Sequence, residues 1–123
     1  MTTQEIANKL VNYCRTGDFK NCYSELYSPD CVSIEPKGAF VEIANGMDEM
    51  VKKGENWNNM VQEMHGAEVG DPIVAGNHFS CRMWNDITFK DGNRVAIEEL
   101  CVYEVKDGKI VKEQFFYDNS TQS

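Results

Sequence analysis

Apolar positions in the first half of the chain recur at helical spacing. Ile6, Leu10, Tyr13 and Cys14 share one face of a helix that Gly17 closes. Asp18 suits the N-cap of a second, short helix carrying Phe19, Tyr23, Leu26 and Tyr27, and Ser28-Pro29-Asp30 stops it. A short strand, CVSIEP, follows, then a loop through Lys37-Gly38. The third helix has the clearest pattern: Met47, Met50, Val51, Gly54, Trp57, Met60 and Val61 form one stripe, with lysines, glutamates and asparagines opposite. Gly54 weakens a helix, so close approach to a sheet is its expected purpose. The pair Lys52-Lys53 reads as part of the solvated face.

From about Gln62 the period changes to two. Turn signals at Gly70-Asp71-Pro72, Asp91-Gly92-Asn93 and Asp107-Gly108 divide this half into four strands, with Ala75-Gly76-Asn77 belonging to the first connection. Helices gathered early and strands late predict an α+β domain, residues 1–123, in which three helices pack on a strongly curved, mainly antiparallel sheet. The polar tail, 119–123, is expected to fray. A bent sheet around helices leaves a concave mouth, where pockets form.

Composition narrows the functions. The chain has 123 residues, 41% hydrophobic and 26% charged, which suits one globular domain with a real core. Net charge is −8, with no basic stripe, so neither nucleic acid nor an anionic membrane is an expected partner. No apolar run approaches the roughly 18–20 residues that span a bilayer, and MTTQEIANKL lacks the features of a signal peptide. Five cysteines without a C-x-x-C pair fit small core hydrophobes in a reducing, cytoplasmic setting. With two widely separated histidines, no metal site is expected, and no cofactor motif is present.

Several segments carry a resemblance: YCRTGDF near the start, SPDCVSIEP, the NGMDEM helix entry, EMHGAEV, and above all VYEVKDGKIVKEQFFYD. Together they resemble the SnoaL-like, polyketide cyclase-like branch of the nuclear transport factor 2-like and ketosteroid isomerase-like superfamily, over nearly the whole chain. The resemblance implies a cone-shaped fold, a small-molecule pocket and commonly a homodimer. Such relatives include cofactor-free isomerases, cyclases and dehydratases, but fold does not dictate function. The ketosteroid isomerases' two oxyanion donors fall by alignment on Leu10 and Cys101, neither of which is a strong O–H donor.

Glu35 falls where those isomerases carry their general base; the alternative is a strand-end glutamate facing water. Alternation places Ile97, Glu99, Cys101 and Tyr103 on one face, and the alignment of Cys101 makes that face the concave one. By the same count Glu113, Phe115 and Tyr117 share the cup. Glu99 and Glu113 are then candidates to share a proton, one as acid and one as base. The alternative is exposed or salt-bridged glutamates, with Arg82 as a partner. His65 is a candidate proton shuttle or a hydrogen-bonded core histidine. The resemblance makes Asp118, the closing aspartate of the family's ending, a second candidate acid/base; alternation turns it away from the cup, as it does Asp86, unless a bulge near Phe115-Phe116 reverses it. Trp57 and Met60 join Cys101, Tyr103, Phe115 and Tyr117 as candidate substrate-binding residues.

The expectation is a small-molecule pocket protein, either a general acid/base enzyme on a small apolar carbonyl or polycyclic compound or a non-catalytic binder. A protein-association module is the third reading. Trp84, Leu100, Val102 and Phe116 on the convex face would need cover, for which a homodimer is the simplest arrangement.

Overall fold

The computed structural model describes residues 1–118; the expected frayed tail at 119–123 lies outside them. Helix α1 (Thr3–Thr16) starts at a reciprocal cap, in which Thr2 accepts from the Glu5 backbone and Glu5 accepts from that of Thr2. It ends at Gly17, whose φ of 73° an L side chain would resist. Helix α2 (Phe19–Leu26) is capped by Asp18. Strand β1 (Tyr27–Ile34), a short β2 (Ile43–Asn45) and helix α3 (Gly46–Met60) follow. Then come β3 (Val61–Val69), β4 (Ile73–Ala75), β5 (His78–Phe89), β6 (Arg94–Lys106) and β7 (Lys109–Phe116).

One sheet runs in the order β2-β1-β7-β6-β5-β3, with β4 added beside β5. All its pairings are antiparallel except β1 with β7. The architecture is the expected one: three helices on a mostly antiparallel, curved open sheet. Its concave face holds the core, where Ile6, Leu10 and Val11 of α1 and Leu26 of α2 meet Phe79, Cys81, Cys101, Tyr103 and Ile110. Phe79 and Tyr103 stack with ring centroids 4.7 Å apart.

Three local expectations are corrected. Tyr27 opens β1 instead of closing the second helix, and the strand runs through Ser28-Pro29-Asp30. Proline is tolerated there because the β1–β7 register shifts between Tyr27 and Val32, where no ladder donor is needed. Five strands follow α3 where four were expected, because β4 forms a three-residue pairing with β5. Gly54 does not serve close approach: a Cβ built there would meet nothing within 4 Å. The glycine that does answer to packing is Gly66, where a Cβ would lie 3.1 Å from the Trp84 ring.

Candidate functional site

A cavity of about 390 Å³ opens between α3, the 38–41 loop and the concave ends of β1, β6 and β7. Alternation along the long strands delivers its floor. Register pairs Tyr103 with Glu113 and Cys101 with Phe115, so Glu99, Glu113 and Phe115 share one face of the sheet. Met50, Lys53, Gly54, Trp57 and Met60, at helical spacing, form the α3 wall. Trp57 is held edge-to-face against Phe89, with centroids 5.6 Å apart. Phe40 lies at the rim and is largely exposed.

The polar groups of the cavity form a graded set. Glu113 is buried and fully engaged: the Tyr27 hydroxyl donates to one oxygen at 2.5 Å, and the Ser33 hydroxyl to the other at 2.7 Å. Burial pushes its pKa up, while the two hydroxyls and Lys53 pull it back. Lys53 Nζ donates to Ser33 Oγ at 3.0 Å and lies 3.5 Å from Glu35 Oε1. The same ammonium sits over the Phe115 ring, 5.1 Å from its centroid. Lysine charge thus reaches Glu113 through Ser33 and Glu35 directly.

Glu35 and Glu99 are less satisfied. Among the described residues, Glu35 Oε2 is buried with no hydrogen-bond partner. Burial raises the Glu35 pKa against the opposing pull of Lys53. Glu99 is pushed up to about 7, first by burial and then by the negative charge of Glu35. Among the described residues, the Cys101 thiol donates to Glu99 Oε1 at 3.7 Å. The negative charges of Glu35 and, more weakly, Glu113 both raise the proton affinity of Glu99.

The structure brings Glu35, Glu99, Glu113, Trp57, Met60, Phe115 and Tyr117 to one cavity. Cys101 touches the site only through Glu99, and Tyr103 is buried in the core against Phe79. His65 does not reach the cavity: it lies on β3, with Nε2 2.7 Å from the Thr88 hydroxyl and Nδ1 3.3 Å from Glu63. Asp118 is exposed just past β7 and is not among the lining residues. Asp86 is held in a two-pronged pair by Arg94, and Arg82 binds Glu98 instead of Glu99. Among the described residues, no group of three or more His, Cys, Asp or Glu side chains could hold a metal ion.

Sequence reasoning missed Lys53, Ser33 and Tyr27. A signal for Lys53 existed: it lies three residues after Met50 and four before Trp57, on the apolar stripe and not on the solvated face.

A curved sheet whose concave face carries buried carboxylates under a helix defines the class, the nuclear transport factor 2-like α+β cone. The family model for a SnoaL-like domain matches residues 1–117, and the chain belongs to that family. A Mesorhizobium loti protein, provisionally named a SnoaL-like polyketide cyclase, is 32% identical, with 95% of this chain and 100% of that one covered and a TM-score of 0.89. A nuclear transport factor 2-like protein of Burkholderia thailandensis is 17% identical over 98% of this chain and 94% of its own, with a TM-score of 0.86. A Bacillus subtilis protein provisionally named an isomerase is 16% identical over 98% and 92%, at a TM-score of 0.75. At those lower identities the likeness is one of fold. A comparison with curated proteins finds no match. Among the described residues, no helix is long and apolar enough to cross a membrane.

Proposed function

We propose that the chain is a cofactor-free acid/base enzyme of the isomerase or cyclase kind, acting on a small, largely apolar carbonyl compound. Glu35 is the base and Glu99 the acid. Glu113 holds the floor rigid and does not exchange protons with substrate. The observation that carries this reading is the orphaned Glu35 Oε2 beside a second carboxylate of high proton affinity, both on an apolar cavity. A leftover acceptor on an apolar cavity is a group that a bound molecule can engage, and a carboxylate there can also take a proton from it. Two carboxylates on one cavity, both with proton affinity raised by burial and with Lys53 the first group opposing that rise at Glu35, are an arrangement that acid/base catalysis can use. Trp57, Met60, Phe115 and Tyr117 would hold the apolar body of the substrate.

The test is a carboxyl-carbon NMR titration of wild type, Glu35→Gln and Glu99→Gln. Glu99 is expected to titrate near 7 and to fall when Glu35 is neutralised. Ordinary, independent titration of both would remove the acid/base pair and leave a binding protein.

Two further parts of the reading concern its setting. Leu100 and Phe116, cross-strand neighbours on the convex face, are each about half exposed, which supports a homodimer through that face. A single-mass monomer in light scattering at high concentration would reject it. Five free thiols support a reducing, cytoplasmic compartment.

A further inference from the structure

Any enzyme that removes a proton beside a carbonyl must stabilise the oxygen on which negative charge forms. The two positions where the resemblance puts ketosteroid isomerase donors cannot do so here. Leu10 and Cys101 are both fully buried, one an alkyl group in the core and the other a thiol turned to Glu99. Some other donor must face the cavity.

We propose that Lys53 holds the substrate's developing oxyanion, in place of paired hydroxyl donors. The inference rests on the acid/base reading above. Lys53 lies on the cavity wall, on the inward stripe of α3, with its ammonium fixed from three sides by Ser33, Glu35 and the Phe115 ring. An ammonium has three N–H donors. One is used well on Ser33 at 3.0 Å; the 3.5 Å approach to Glu35 is longer than a charge-assisted hydrogen bond of about 2.7–2.9 Å. Donor capacity is left for a ligand oxygen in the cavity.

The charge accounting favours the same group. In the first step the substrate C–H bond breaks and an O–H bond forms on Glu35. The C–H electron pair becomes the enolate double bond, and the carbonyl π pair moves to oxygen. One negative charge disappears from Glu35 as one appears on the substrate, so the cavity's total is unchanged. Lys53, released from its pairing with Glu35, meets the new charge without changing place. Protonated Glu99 then delivers its proton to a second carbon of a conjugated enolate: the oxygen pair re-forms the carbonyl, the double bond shifts, and the displaced π pair makes the new C–H bond. The two glutamates return to their starting states by exchange with water at the mouth.

A nitrophenol tests this directly, because its ionised form mimics the enolate oxygen and absorbs at a different wavelength from the neutral form. The full chain is titrated with the phenol about one pH unit below the phenol's own solution pKa, in wild type, Lys53→Gln and Lys53→Arg. Wild type is expected to bind it ionised. Lys53→Gln should bind the phenolate more weakly by roughly tenfold or more, and Lys53→Arg should recover part of that loss. Near-ultraviolet circular dichroism checks that each variant is folded. Equal ionisation of the bound phenol in Lys53→Gln, binding by wild type in the neutral form alone, or no binding by wild type would each overturn the assignment. The carboxyl-carbon titration separates the two levels. If Glu99 still titrates near 7 when the phenol result is negative, only the role of Lys53 fails. If Glu99 titrates as an ordinary carboxylate, the acid/base reading fails with it.

Discussion

Helices α1 and α3 have nearly the same length, 14 and 15 residues, and both lie over the concave sheet, yet they cover it in opposite ways. α1 buries Ile6, Ala7, Leu10 and Val11 almost completely against β5 and its neighbours. α3 buries Met50 alone. The stripe of α1 is made of close-packing aliphatic side chains. That of α3 contains a cation at Lys53, an absent side chain at Gly54, and long side chains at Trp57 and Met60 that stand around a space. Glu35, Glu99 and Glu113 line the cavity that α3 covers. One end of the cup supplies stability by filling itself; the other leaves a cavity and keeps poorly satisfied charges there.

Substitutions on the two helices should separate these roles. Leu10→Ala removes a fully buried side chain from the filled end and should cost about 2–5 kcal/mol in urea unfolding. Met60→Ala, at a half-exposed position on the cavity, should cost less than about 1 kcal/mol. Similar losses from both would mean that the α3 end is packed as tightly as the α1 end. Next in size is Glu113→Ala, which leaves the Tyr27 and Ser33 hydroxyls without their acceptor and should cost about 1–3 kcal/mol. A neutral effect on unfolding would show that Glu113 is not the clasp of the floor.

The same contrast appears across a single peptide bond. Glu98 projects outward and pairs with Arg82 at 2.5 Å; Glu99 projects inward among Glu35, Glu113, Lys53 and the Cys101 thiol. Burial and the charge of Glu35 raise the pKa of Glu99 in the folded protein to about 7, so the native state keeps a proton that the unfolded chain has released. Stability contributed by that proton is present in acid and is lost as pH rises from about 4.5 to about 7. The difference in unfolding free energy between wild type and Glu99→Gln should therefore change by about 2–3 kcal/mol across that window. Glu98→Gln should stay within about 1 kcal/mol of wild type, as exposed ion pairs do. A flat comparison for Glu99 would mean that its inward position does not raise its proton affinity.

Much of this was legible in the sequence because the relevant signals are periodic. Three helices, the long strands and the inward faces of Glu99, Glu113, Phe115 and Tyr117 follow from spacing, since a two-residue period assigns each side chain a face once one is fixed. What spacing could not supply was the depth of each group or its partner. Nothing in the sequence separates Glu113, held by hydroxyls from β1, from Glu99, which meets a thiol. Those partners come from strands distant in the chain. His65 stayed open between two readings for a similar reason: a histidine at a helix-to-strand boundary can face either way, and its bond to Thr88 depends on the β3–β5 pairing. Lys53 was lost to a habit of reading charge as surface, although its spacing from Met50 and Trp57 pointed inward.

Gly54 gives the smallest expected effect, and the sharpest for the contrast between the two helices. A glycine inside a helix costs roughly 0.5–1 kcal/mol relative to alanine unless the missing side chain prevents a clash. Here it prevents none, because the added carbon would meet nothing within 4 Å. The residue lines the cavity, so the empty space beside it belongs to the site. Gly54→Ala should therefore stabilise the protein by about 0.5–1 kcal/mol, read as a higher denaturation midpoint with an unchanged denaturant slope. The added methyl should also weaken binding of the larger nitrophenols more than that of the smallest, because it projects into the volume they fill. Stabilisation with ligand binding unchanged would mean the space beside Gly54 is not used. Loss of stability would mean that α3 lies closer to the sheet in solution than its open cavity implies, and the two ends of the cup would then differ less than their side chains suggest.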